Sequence, residues 1–297
     1  MRAAEQGFLL LTCPLGAPER GMLTTAQFRT LAKRAVQMQV PLEDRDITKE
    51  DIMSLGYGAA FANRVVELLS QEDLLEHYLR RSSRAGCQCL SRLHEEYPLK
   101  LRKALDLDSP GSLWAKGDVS LLKQPTIALV GSRDIREENA AFARQVGIEA
   151  ARQGYVLVSG NARGSDRIAQ NACMEAGGKV ISVLADELEK YPTQENLLYL
   201  SEDGFDLPFT AQRALSRNRV IHALAGKTFV AQVADGYGGT WDGTVKNLRF
   251  CWSNVFCFQD GTSGVKNLIQ MGATPILESQ LCDISILKPD NFNFFDQ

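Results

Sequence analysis

Five short segments of this 297-residue chain are rich in arginine, lysine or small polar side chains, four of them with glycine, a combination suited to a phosphate-bearing ligand. Gly131-Ser132-Arg133 follows the apolar run TIALV. Glycine lets backbone approach a ligand, serine donates a hydroxyl, and arginine offers a planar fork for two oxygens of one phosphate. Ser159-Gly160-Asn161-Ala162-Arg163-Gly164-Ser165-Asp166 follows YVLV; Gly160 and Gly164 flank Arg163, and Asp166 stands where a helix cap is expected. Ser216-Arg217-Asn218-Arg219 reads as a donor cluster at the start of an apolar helix. Asp235-Gly236-Tyr237-Gly238-Gly239-Thr240 follows TFVAQV, and Lys246 lies a little beyond it. Gly261 to Asn267, with Lys266 and Asn267 at its end, follows NVFCF. Each segment alone is also compatible with an ordinary turn or with solvated surface charge. Together they call for a fold that brings them to one place. Arg133, Arg163, Arg217 and Arg219, with Lys246 and Lys266 as further candidates, would then build one basic pocket for a polyanion.

The elements between these segments supply such a fold. From Thr126 onward, short β-rich apolar runs alternate with helical patterns, and the runs lack clean two-residue alternation. Strands buried on both faces read this way. The expectation is an α/β fold, a Rossmann-like, doubly wound, mostly parallel sheet over residues 125–297, preceded by a small helical domain. Right-handed crossovers would gather the five segments at the carboxyl ends of the strands.

Residues 1–85 read as the helical domain. Thr24-Thr25 precede the helical pattern AQFRTLAKRAV, and Gly56-Tyr57-Gly58 separates two further helical patterns. The latter resembles a helix-hairpin-helix, whose glycine turn can present N–H groups to a phosphate; a hairpin made only for packing is the alternative. Residues 86–124, with Tyr97-Pro98 and Ser109-Pro110-Gly111, read as an irregular lead-in that docks on the core.

Composition narrows the chemistry. Hydrophobic residues make up 44% of the chain, enough for a real core, and the formal net charge is −3, so any basic face must be local. There is no apolar run long enough for a membrane helix, and the N-terminus does not read as a signal peptide. The seven cysteines are scattered, which points to a reducing cytoplasm without disulfides or zinc. Neither G-x-G-x-x-G nor a Walker A sequence is present. No catalytic residue, metal or cofactor is expected.

The same segments, in the same order, resemble the bacterial DNA-processing family DprA, also called Smf. The resemblance rests on Val130-Gly131-Ser132-Arg133, Ser159 to Asp166, Gly177-Gly178 before Ile181-Ser182-Val183-Leu184, Tyr191-Pro192, Arg217-Asn218-Arg219-Val220-Ile221, and Asn267-Leu268-Ile269 before Gly272-Ala273. It covers roughly residues 90 to 275. It implies a non-enzymatic protein that binds single-stranded DNA, commonly as a homodimer, and hands it to the RecA recombinase in transformation or a related DNA-uptake or defence role. On that reading Gly131, Ser132, Arg133, Arg163, Arg217 and Arg219 grip successive phosphates, and Tyr237 or Trp241 stacks on bases. The chain departs from the family pattern at Ala169-Gln170, at Tyr237-Gly238-Gly239-Thr240-Trp241, and in having no winged-helix tail legible after residue 280. The Gly-Gly-Thr loop also resembles nucleotide-binding relatives that act as phosphoribohydrolases. Their G-G-x-G-T-x-x-E spacing is not met, since Asp242 is the nearest acid. A nucleotide sensor or hydrolase is the alternative.

Overall fold

In the computed structural model, which describes residues 2–38, 46–202 and 204–289, one nine-stranded sheet organises the chain. Its strands are β1 (Gln88–Ser91), β2 (Ser112–Gly117), β3 (Thr126–Val130), β4 (Val156–Ser159), β5 (Lys179–Leu184), β6 (Leu197–Glu202), β7 (Lys227–Val230), β8 (Asn254–Phe258) and β9 (Thr274–Ile276). The order across the sheet is β1-β2-β6-β5-β4-β3-β7-β8-β9. Everything from β6 to β9 is parallel, while β1 and β2 add an antiparallel edge. This is the expected doubly wound α/β architecture.

Helices cover both faces. On one lie α7 (Glu137–Arg152) and α8 (Ser165–Glu175), whose Phe142, Val146, Ala169 and Cys173 pack with Ile127, Leu129 and Leu157. On the other lie α9 (Ala211–Leu224), α10 (Gly239–Phe250) and α11 (Ser263–Gln270), whose Val220, Leu224, Leu248 and Leu268 pack with Ala128, Val130, Val156 and Val158. Alternate residues of β3 and β4 thus serve opposite cores. Continuous apolar runs follow from that arrangement.

Chain order runs outward from β3 through β4, β5 and β6. It then returns by α9 to β7 on the other side of β3. The β3–β7 junction is therefore the switch point of the sheet, where the loops beyond the strand ends diverge and leave a crevice.

Two expectations about the first part of the chain are corrected. The stretch 86–124 is not an irregular lead-in, since it supplies β1, β2 and the helix α6 (Leu99–Leu105). β1 has only four residues, and β2 is buried on both faces, so neither shows alternation. The helices before it, α1 (Ala3–Thr12), α2 (Thr25–Gln37), α3 (Lys49–Ser54), α4 (Ala59–Leu69) and α5 (Glu72–Arg84), are also not wholly separate from the sheet. Leu31, Ile52, Ala62, Val65 and Leu68 form a core of their own, but Leu9, Leu10 and Tyr78 join the core under the sheet. Tyr78 lies edge-on to Trp114 of β2, with ring centroids 5.1 Å apart, and donates to Asp206 at 2.6 Å. As expected, Thr24 caps α2 by accepting from the Gln27 N–H. In the glycine turn between α3 and α4, Arg34 donates to the Leu55 carbonyl at 3.2 Å and lies 4.5 Å from the Tyr57 ring centre. The expectation about a winged helix after residue 280 falls in part on residues 290–297, which lie outside the described residues.

Behind the crevice, His222 of α9 is buried, with Nδ1 3.1 Å from the Asn247 amide nitrogen and 3.4 Å from the Thr228 hydroxyl. Burial pushes its pKa down to about 3, so the folded protein keeps it neutral. An unfolded imidazole titrates at about 6.5. The stability contributed by this neutral ring is therefore complete above pH 6.5 and lost as pH falls toward 3, at about 1.4 kcal/mol per pH unit. Denaturant titrations at about pH 6.5 and about pH 5 should show a loss of about 2 kcal/mol from this residue. The His222→Gln protein should lose correspondingly less over that interval, and identical losses in both proteins would contradict the assignment.

Candidate nucleic-acid interface

Two contiguous cavities open at the switch point. The larger, ≈ 680 Å³, is lined by the loop after β3 (Val130 to Asp134), the loop after β7 with the start of α10 (Gln232 to Ala234 and Tyr237 to Thr240), and α9 residues including Leu215, Arg217 and Asn218. The smaller, ≈ 340 Å³, is lined by Gly160 to Arg163, Leu184 to Asp186 and Tyr191. Arg133, Ala162, Phe209 and Arg217 border both, so they form one groove.

Backbone contacts lock its loops together. The Ser132 N–H donates to the Gln232 carbonyl at 3.1 Å, joining the loops after β3 and β7. The Ser132 carbonyl accepts from the Ser165 hydroxyl at 2.9 Å and from its N–H at 3.2 Å, joining the loops after β3 and β4. Gly164, at φ +83°, sits against Arg133: a Cβ there would lie 2.3 Å from the Arg133 carbonyl oxygen. A Cβ on Gly131 would lie 2.3 Å from the Ser165 hydroxyl. Thr240 donates to the Gly131 carbonyl at 3.0 Å, and Asn218 to the Gly239 carbonyl at 3.0 Å. Asp166 caps the second loop, accepting from the N–H groups of Gly160 and Ala162. The N-termini of α8 and α10 thus border the groove, where their partial positive charge favours an anion.

The arginines do not act alike. Arg133 is exposed and has no hydrogen-bond or ion-pair partner among the described residues. Arg163 lies on the rim and pairs with Asp134 at 2.6 Å. Both partners are exposed, so this pair holds Arg163 by no more than about 1 kcal/mol and a phosphate can take it over. Arg217 is 7% exposed, and its Nη1 donates to the Val183 carbonyl at 2.7 Å. A Cβ on Gly160 would lie 1.8 Å from that nitrogen, so the guanidinium is packed directly beneath the loop. Burial and the neighbouring Arg133 charge pull the Arg217 pKa down, against the attraction of Asp166. Burial pushes the Asp166 carboxyl up, opposed by Arg217 and by its N–H donors.

Several expected site residues stand elsewhere. Ser159 is fully buried and donates to the Leu129 carbonyl, so it is a structural hydroxyl. The segment Ser216 to Arg219 lies in the middle of α9 rather than at the start of a helix. Arg217 therefore points under the groove, while Arg219 bonds Glu202 at 2.7 Å and the Asp108 carbonyl. Arg219 does not line the groove. Neither does Lys246, which pairs with Asp242 at 2.8 Å, nor Lys266. Asn267 donates to Asp235 and braces the loop after β7 from behind. The expected dense arginine cluster is corrected accordingly: the lining holds Arg133, Arg163 and Arg217 against Asp134, Asp166 and Asp186. Asp186 is engaged by Lys190 at 3.1 Å.

Three exposed apolar side chains flank the groove: Phe209, Leu215 and Tyr237, the last 72% exposed. Of the two expected stacking residues, Tyr237 is on this rim, whereas Trp241 is half-buried against the α9–α11 core. Sequence reading passed over Phe209, which lies in the irregular stretch before α9, and Tyr191, noted only as part of a Tyr-Pro pair. An aromatic next to proline in a polar connection was the available signal for both.

Comparisons with known proteins agree with this architecture. The family model for DNA recombination-mediator protein A matches residues 88–285, from the first strand to beyond the last. The DNA processing protein DprA of Streptococcus pneumoniae is 31% identical over 203 residues, covering 64% of this chain and 71% of that protein. DprA of Bacillus subtilis is 27% identical over 197 residues, covering 63% of each. The X-ray structure of the S. pneumoniae protein superposes with a TM-score of 0.72 at 26% identity, covering 95% of this chain and 97% of that one. A Helicobacter pylori DNA processing protein A, solved in a study of its single-stranded DNA binding mode, shares the fold at a TM-score of 0.55 and 22% identity, covering 66% of this chain and 94% of that one.

Proposed function

This chain belongs to the DNA recombination-mediator protein A family, and from that premise we propose that its switch-point groove binds single-stranded DNA without cutting it. The observation that carries the reading is Arg133, without a partner among the described residues, standing among exposed apolar side chains at the meeting of three glycine-bearing loops. Arg133 supplies the first phosphate contact, and Arg163 joins by exchanging Asp134 for a phosphate. The buried Arg217 acts through its field from below. Phe209, Leu215 and Tyr237 offer flat or apolar surface to bases. Stacking of that kind tolerates any sequence, and an exposed strand can supply the unpaired bases it needs.

The carboxylates that line the groove are already engaged: Asp166 caps a loop, Asp134 pairs with Arg163 and Asp186 with Lys190. Binding and hand-over, rather than bond cleavage, is the role that suits such a site. Protection of single strands, delivery to a RecA-type recombinase and assembly as a homodimer form part of this proposal.

Fluorescence anisotropy with a labelled single strand tests it. Binding should weaken as salt rises, with mixed sequences binding alike. Unlabelled single strands should displace the probe well before duplex or nucleoside monophosphate does. Displacement by the monophosphate alone, or release of a base from it, would overturn the proposal in favour of a nucleotide-handling protein.

A further inference from the structure

One cation near the groove took no part in the sequence reading. Arg167, on the first turn of α8, is exposed, and its side chain has no hydrogen-bond or ion-pair partner among the described residues. Its N–H donates to the Ala162 carbonyl at 3.2 Å, which sets it against the loop that carries Arg163. Arg163 lines the smaller cavity, and so does Tyr191. The Tyr191 ring rests on that of Tyr199, with centroids 5.1 Å apart, and Tyr199 is buried in β6. The Arg167 charge reaches both phenols, drawing their hydroxyl pKa values down against the upward push of burial. Asp186, which acts the other way on Tyr191, is engaged by Lys190.

Arg133 and Arg163 border the smaller cavity with Tyr191, and Arg167, the next exposed arginine along the chain, stands on the first turn of α8 within reach of that ring. Along α10, whose first residues line the larger cavity, Lys246 is tied to Asp242. We propose that a single strand leaves the groove across the start of α8, where Arg167 holds a backbone phosphate and the Tyr191 ring supports the adjoining base. This rests on the single-strand reading above and gives it a direction: the exit lies toward α8, away from α10.

The test compares Arg167→Ala with the unaltered full chain, using deoxythymidine oligomers of about 4 and about 15 nucleotides. The short oligomer fills the groove only, and its affinity should change less than about two-fold. The long oligomer should bind about three- to ten-fold more weakly, with the salt slope reduced by about 0.7, the share of one single-strand phosphate. Arg167→Lys should keep most of that slope. The side chain has no partner to lose among the described residues, so folding should persist, as circular dichroism would verify. Unchanged affinity for the long oligomer would overturn the inference, as would equal losses at both lengths, which would put Arg167 inside the groove. Failure of the unaltered protein to bind either oligomer would instead overturn the single-strand reading itself, and this inference with it.

Discussion

Replacing Gly164 with alanine is expected to destabilise the protein and remove most of its DNA binding together. The residue has φ +83° and ψ −129°, a conformation essentially confined to glycine. Its added Cβ would meet backbone on the neighbouring loop, 2.3 Å from the Arg133 carbonyl oxygen and 2.6 Å from that of Ser132. A flexible side chain could turn away, but these atoms cannot. Backbone strain alone costs about 1–3 kcal/mol, and relief of the clash must push the Arg133 loop off its place. Gly177 is the control, since it also has positive φ (+74°) but nothing within 4 Å of an added Cβ. Gly177→Ala should lose only the strain, about 1 kcal/mol, and bind DNA normally. Chemical denaturation and anisotropy on both variants check this. If Gly164→Ala matches Gly177→Ala in stability and binds like the unaltered chain, the two loops are not locked as described.

Arg133→Ala should have the largest effect on binding at no cost in stability. The guanidinium has no partner to lose among the described residues, and its charge opposes that of Arg217 below. Removing it relieves that repulsion, so the melting temperature should stay level or rise. A charge-assisted bidentate contact is worth roughly 1.5–3 kcal/mol. Single-strand affinity should therefore fall about ten- to hundred-fold. Arg133→Lys should restore charge but only part of the affinity, because an ammonium cannot reproduce the fork. Equal binding by Arg133→Ala would move the site elsewhere.

Much of this arrangement was legible in the residues. The buried strands announce themselves as continuous apolar runs, and three glycine-bearing loops follow them directly, so the doubly wound sheet and the groove at its switch point could both be read. The third segment misled because adjacency in sequence was taken for adjacency in space. Arg217 and Arg219 lie two apart on a helix, about 200° around its axis, and must face different ways. One goes under the groove and the other to Glu202. Lys246 was illegible for another reason: its partner Asp242 is one helical turn back, and the pairing shows only once the segment is known to be helical. β1 is only four residues long and β2 is buried on both faces, so alternation marks neither, and their antiparallel place depends on β6, which comes long after them in the chain. Phe209 and Arg167 carry no motif. Their relevance comes from the cavities and from the lack of a partner, both properties of the folded chain.

The most direct test of the central claim, that the switch-point groove holds the single strand, is photocrosslinking of the full chain to an oligonucleotide carrying iododeoxyuridine, followed by mass spectrometry of the adducts. Adducts should fall on Phe209, Tyr237 or Tyr191, the aromatic groups that line the groove, and should be lost in Arg133→Ala. Adducts confined to the helices before residue 85, or to the outer faces of α10 and α11, and persisting in Arg133→Ala, would contradict the claim.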